Sequence, residues 1–201
     1  MGLEIITPPA GAIELEDVIQ HLNLITPVVP DLYDEPQPEP LPDEDLLLLY
    51  MQAAETKIEN RTGLALSERT LRLRCDAFAR SIALHVAPVI AVTAVKYLDV
   101  NGDEQTLPDT VYALVGKEDA PRLVLKPGQA WPSTWDIGGA VSIEFRAGWE
   151  DPEDIPAPLR IAILQTVAAM YEFREEISEA RTSEVTAGVW SLIADYVRWG
   201  G

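Results

Sequence analysis

Cysteine occurs once in 201 residues, at Cys75, and histidine twice, at His21 and His85. A single cysteine excludes an internal disulfide and a thiolate zinc site within one chain. Two histidines are too few for histidine-rich metal chemistry. Positive charge is scarce as well: 15 Lys and Arg stand against 33 Asp and Glu, a net charge of −18. Gripping a phosphate backbone or an anionic membrane surface requires clustered cations, so the balance argues against both partners. The longest apolar runs, Leu46 to Met51 and Val86 to Val95, fall far short of the roughly 20 residues that span a bilayer. The start, Met1-Gly2-Leu3-Glu4, has neither a basic nor a long apolar signal region. Ile6 breaks the acylation pattern that Gly2 opens. A nucleophile elbow, a phosphate-cradling glycine loop and a His-Glu-x-x-His pair are also missing.

What is present is an ordinary globular composition, 47% hydrophobic and 24% charged, in a chain long enough to bury a real core. Its length implies one domain, or one domain with a sizeable insertion. Leu15, Val18, Ile19 and Leu22 fall at helical spacing behind the acids Glu14, Glu16 and Asp17, predicting a short helix over 14–24. Residues 27–42 then hold six prolines, and residues 31–45 hold seven acids and no base. Proline removes backbone donors and like charges repel, so an extended, exposed loop is expected there.

A second helix is predicted over 44–61, with Asp43 as N-cap and Gly63 as its stop. Leu47, Met51, Ala54 and Ile58 share one stripe, and Leu46, Leu48 and Leu49 widen it. Such width implies burial on more than one side, within the fold or against another subunit. From about Leu66 to Gly148 the period changes to two: Leu71, Leu73 and Cys75 alternate with Arg72, Arg74 and Asp76. Further short strands are expected over 92–98, 111–115, 122–125 and 141–145, as an antiparallel sheet or small sandwich of five to seven strands. Helix returns over 156–177, where Leu159, Ile163, Val167 and Tyr171 belong to a surface apolar nearly all round; such a helix must be surrounded by protein. A last helical segment, 189–199, carries Trp190, Ile193 and Val197 on one stripe and Leu192, Tyr196 and Trp199 on another.

Little of this carries chemistry. Asp99 to Glu104 superficially resembles a calcium loop, but its glycine falls too early and Thr110 stands where the last acid belongs. The Asn101-Gly102 pair reads instead as a hairpin turn. Cys75 alternates with leucines and behaves as a core residue. No pair of carboxylates stands out for acid–base work. The aromatic C-terminus is different: Trp190, Tyr196 and Trp199 are a large apolar investment for a chain end, either closing the core or anchoring in a partner.

The order of certain pieces is informative. They are Asp43-Glu44-Asp45-Leu46-Leu47, the run Ala53 to Leu66, Pro88-Val89, Val92 to Asp99 with Asn101-Gly102, Phe145-Arg146-Ala147-Gly148-Trp149, Ile155-Pro156 with Leu159-Arg160, Ala162-Ile163-Leu164, and Tyr171-Glu172-Phe173-Arg174-Glu175. The ordered set, over about residues 13–198, resembles the head–tail connector (adaptor, or head-completion) proteins of long-tailed bacteriophages and gene-transfer particles. The 27–42 stretch is longer than the turn expected there.

The resemblance implies an α+β fold, a helical bundle with an antiparallel β-rich insertion between the second and third helices. On that reading the chain divides into N-terminal helices (1–65), the insertion (66–150) and C-terminal helices with a docking tail (151–201). It implies a homo-oligomeric, twelve-fold ring in the particle neck, assembled in a bacterial cytoplasm, between the portal protein and a head-closure (stopper) or tail-terminator protein. It implies no catalysis, cofactor, metal or membrane partner. Portal docking would fall to Trp190, Ile193, Tyr196 and Trp199, and subunit contacts to Leu47, Met51, Ile58, Ile163 and Tyr171. A conduit for double-stranded DNA must not trap its cargo, and an acidic wall repels phosphates. Asp31, Asp34, Glu35, Asp43, Glu150 and Asp151 are the expected lining. The alternative is an acidic nucleic-acid mimic or assembly chaperone; a small-ligand enzyme would need a polar cluster that the sequence does not offer.

Overall fold

The computed structural model describes residues 2–24, 43–172 and 187–198. The fold is α+β, and the chain divides into two compact units. One is built on residues 1–10, 63–154 and 198–201; the other on 11–62 and 155–197.

The first unit is the β unit. Its larger sheet takes strands β1 (Gly2–Thr7), β2 (Arg69–Cys75), β4 (Val89–Leu98), β5 (Glu104–Thr106) and β8 (Val141–Ala147) in the antiparallel order β1-β2-β8-β4-β5. A second antiparallel sheet has the order β3-β7-β6, from β3 (Ser81–Ala83), β6 (Tyr112–Val115) and β7 (Arg122–Leu125). The alternation seen in the sequence sets the faces. Leu71, Leu73 and Cys75 point inward opposite Phe145, Ile143 and Val141, all buried. They pack with Ile82, Leu84, Val95 and Leu123 in one hydrophobic core. Phe78 stacks on Trp131 at 4.7 Å and meets Tyr97 edge-on at 5.8 Å, extending that core.

Between residues 66 and 148 the structure holds seven strands, within the expected five to seven, and β1 lies outside that region. β1, β3 and β5 are the strands for which no range was expected, the last two only three residues long. β1 is an edge strand, paired with β2 alone and exposed along its whole length.

The second unit is helical. Helix α1 (Leu15–His21) keeps Glu16 and Asp17 in its first turn and buries Val18. Helix α2 (Glu44–Thr62) buries Leu47, Ala54, Glu55, Ile58 and Thr62, a stripe at helical spacing. Gly63, at φ +73°, ends α2 in the left-handed conformation that glycine accommodates without strain. Helix α3 (Ala157–Glu172) packs on α2 and α1 and buries Leu159, Ala162, Ile163, Thr166 and Val167. Thr62 and Thr166 bury their hydroxyls by donating back to Ile58 and Ala162 carbonyls at 2.9 and 2.7 Å. Arg160 reaches Asp17 at 3.4 Å, tying α3 to α1. Residues 187–192 are helical, and Ala194–Tyr196 form a 3-10 turn.

The expectation that α3 is covered all round does not hold within this chain: Ile161 is 43% exposed. The predicted continuation of this helix to 177 lies partly outside the described residues.

Candidate functional site

No group of three or more His, Cys, Asp or Glu side chains able to hold a metal occurs among the described residues. Asp99 makes a turn, not an ion site: its Oδ1 accepts from the amides of Asn101 (2.8 Å) and Asp103 (3.1 Å), and Oδ2 from Gln105 Nε2 (3.1 Å). Those amide donors hold its carboxyl below the usual carboxylate range. The Cys75 thiol is buried, and burial pushes its pKa up, away from the reactive thiolate. His21 ends α1, and His85 lies in a loop after β3. The chain's usable chemistry is therefore on its surfaces.

The first surface is the C-terminal segment. Val189 and Ile193 are buried, whereas Trp190 and Tyr196 are half-buried; Trp199 lies outside the described residues. Of the four expected docking residues, Ile193 is thus buried. Trp190 lies beneath two cations of α2, with Lys57 Nζ 5.6 Å and Arg61 Cζ 5.4 Å from its ring centroid. That geometry is a double cation–π contact. Within the β unit, Arg198 donates to the Gly63 carbonyl at 3.1 Å; desolvation lowers its pKa, opposed by Asp119.

The second surface is apolar. Of the expected subunit contacts, Leu47, Ile58 and Ile163 are buried inside the helical unit, while Met51 and Tyr171 are half-buried. The outward apolar positions are others: Leu48 and Leu49 on α2, the latter 58% exposed, and Ile161 on α3. The β unit adds Leu3, Ile5 and Ile6 on β1, with Ile5 57% exposed.

The third surface is charged. Asp43, Glu150 and Asp151 are exposed; Asp31, Asp34 and Glu35 lie outside the described residues. Glu150 pairs with Arg146, which also holds Glu68 at 2.5 Å. Asp151 Oδ1 accepts from the Glu153 amide at 2.9 Å. On the outward face of the larger sheet, Arg72 joins Glu144 (2.7 Å) and Glu4 (3.4 Å), and Lys96 meets Glu104 at 3.4 Å. Each of these bases is paired with a carboxylate across the sheet.

Two of these features escaped the sequence reading. Lys57 and Arg61 stand one turn apart, which is itself a readable signal, but Trp190 is remote in sequence. The Leu3-Glu4-Ile5 alternation carried the β1 signal.

No protein-family model matches the chain, and no curated protein matches it. Solved structures do. A chain in the neck of an empty GTA particle computed with C6 symmetry superposes with a TM-score of 0.78 at 29% identity, covering 100% of this chain and 97% of that chain. A chain in the virion of a native gene transfer agent (GTA) particle gives 0.76 at 28% identity with the same coverage. One in the neck of a native GTA particle computed with C12 symmetry gives 0.74 at 28% identity, again with that coverage. These neighbours are chains of GTA particle necks and of a GTA virion.

Proposed function

We propose that this chain, which superposes over its full length on chains of GTA particle necks, is a neck protein of the head–tail connector type that forms an oligomeric ring in a particle neck. The ring acts as an adaptor between the portal and the stopper or tail, and DNA passes along its axis. One observation carries the reading: the chain matches, over 100% of its length, chains from necks computed with six-fold and twelve-fold symmetry. A twelve-fold ring of identical subunits uses heterologous contacts, two different patches on each copy. Leu49 and Ile161, on the helical unit, are apolar positions that the chain's own fold does not seal. Portal docking belongs to the C-terminal segment, through Trp190, Tyr196 and Trp199, with Ile193 holding the segment in shape. The lumen is lined by acids, drawn from Asp31, Asp34, Glu35, Asp43, Glu150 and Asp151.

Imaging of the assembled neck tests this reading. The expected result is a closed ring of this chain beneath the portal, with carboxylates facing the axis. An isolated copy off the axis overturns the ring, and a mainly basic lumen overturns the acidic wall. In the same particles, truncation after Ser183 is expected to leave capsids filled yet lacking this protein; unchanged incorporation moves docking away from the C-terminus.

A further inference from the structure

We propose that the open edge of β1 takes up an extended strand of another protein, one in which apolar residues alternate with Lys or Arg. The inference concerns a single subunit and stands whether or not copies close a ring. The larger sheet ends differently at its two sides. β5 is three residues long and wholly polar, Glu104-Gln105-Thr106, the short and charged kind of edge that deters further pairing. β1 is six residues long, holds no proline and no base, and carries Leu3, Ile5 and Ile6 exposed. Its irregularity comes after Ile5, so Gly2 to Ile5 run in regular register. β2 takes one side of β1, and among the described residues no strand takes the other. An edge of this length and apolarity is a template for strand addition.

The register fixes what the added strand must carry. Leu3 and Ile5 stand opposite the buried Leu73 and Leu71, so they continue the core-side face of the sheet past the point where the chain covers it. Glu4 stands opposite Arg72 on the outward face. There charge alternates from strand to strand, through Glu4, Arg72 and Glu144. Arg72 sits 2.7 Å from Glu144 but 3.4 Å from Glu4, and Arg74 comes no nearer to Glu4 than 3.8 Å. Glu4 is the outermost acid of that row, its side chain 52% exposed. A base on the next strand continues the alternation, and apolar residues on either side of it cover Leu3 and Ile5. β2 presents such a triplet, Leu71-Arg72-Leu73, to the other side of β1. A second copy has none to offer, because its own triplet is held between β1 and β8. The edge strands of its two sheets, β1, β5, β3 and β6, contain no Lys or Arg, and the first two would bring acids toward Glu4. For a chain of net charge −18 the complementary strand is a basic one.

A labelled peptide copying residues 69–75, with Cys75→Ser, is the probe, and fluorescence anisotropy reads its binding to the full chain. The unmodified chain is expected to bind it, and to bind a scrambled peptide of the same composition at least about tenfold more weakly. Glu4→Lys is expected to weaken binding at least about tenfold, and to prefer by a similar factor a peptide carrying Arg69→Glu/Arg72→Glu/Arg74→Glu. Leu3→Ser/Ile5→Ser is expected to lose a similar factor for the first peptide. Thermal unfolding checks folding, and Glu4→Gln, expected to weaken binding in the same direction, covers a reversal that displaces β1. Failure of the unmodified chain to bind, equal binding of the scrambled peptide, or variants that bind as well as the unmodified chain each overturn the proposal. A lower mass by light scattering for Leu3→Ser/Ile5→Ser in the absence of peptide gives the edge to a second copy, and overturns it too.

Discussion

At Gly148 the backbone holds φ +105°, and a Cβ there would run into the Ser67 carbonyl and come within 2.9 Å of the Glu68 amide. Both obstacles are backbone, so neither can swing aside as a side-chain tip would. The Gly148 amide is itself fixed, donating to the Pro88 carbonyl at 2.9 Å. Gly148→Ala is therefore expected to cost about 2–3 kcal/mol and to lower Tm by roughly 4–12 °C. Thermal unfolding checks this, and an unchanged Tm would mean that the crossing yields easily. Nothing local in the sequence marks that crossing, because it is made by a segment some eighty residues away. The Asn101-Gly102 turn was legible, since its signal is entirely local; so was Cys75, from the alternation around it. The roles within the C-terminal segment were only half legible. Regular spacing put Trp190 and Ile193 on one stripe, but the helix stops at 192 and continues as a 3-10 turn. Angular position then no longer advances by the α-helical step, and Ile193 turns inward while Trp190 stays half-buried.

Elements were legible by existence more than by facing. The runs over 46–49 and 159–171 show that α2 and α3 are broadly apolar, yet breadth cannot say which side faces in. The packing of α2 on α3 decides it: Leu47 and Ile163 go inward, Leu49 and Ile161 outward. This separates two roles that one substitution pair can measure. Ile163→Ala, in the core of the helical unit, is expected to lose about 2–5 kcal/mol of stability. Ile161→Ser is expected to change stability by no more than about 0.5 kcal/mol, while weakening assembly in light scattering. If Ile161→Ser unfolds the chain, or leaves assembly untouched, the outward face of α3 has no part in subunit contact. The strands missed by the sequence reading were short ones. A three-residue strand such as β3 or β5 gives a period of two too few positions to register. β1 offers six, of which only Leu3-Glu4-Ile5 alternate, because exposure on the sheet edge leaves no buried face to enforce a longer pattern.

At the scale of the whole molecule, composition argued against thiolate or histidine-rich metal sites and against gripping a phosphate backbone, and the ordered set of pieces pointed to a neck protein. The division into two interleaved units was less legible, because residues 1–10 join the β unit by pairing with β2, a choice made only in three dimensions. Charge acts at this scale as well. Each copy carries −18, so copies brought side by side repel through the solvent. That repulsion is long-range. The screening length falls from about 30 Å at 0.01 M salt to about 8 Å at 0.15 M. Contacts between touching groups lie well inside both lengths and lose much less. Raising ionic strength over that range should therefore favour association, and the mean mass measured by light scattering is expected to rise. A mass that falls instead would mean that long-range attraction, not repulsion, governs the encounter between copies. The acidic field would then have to be confined to a face that copies do not present to one another.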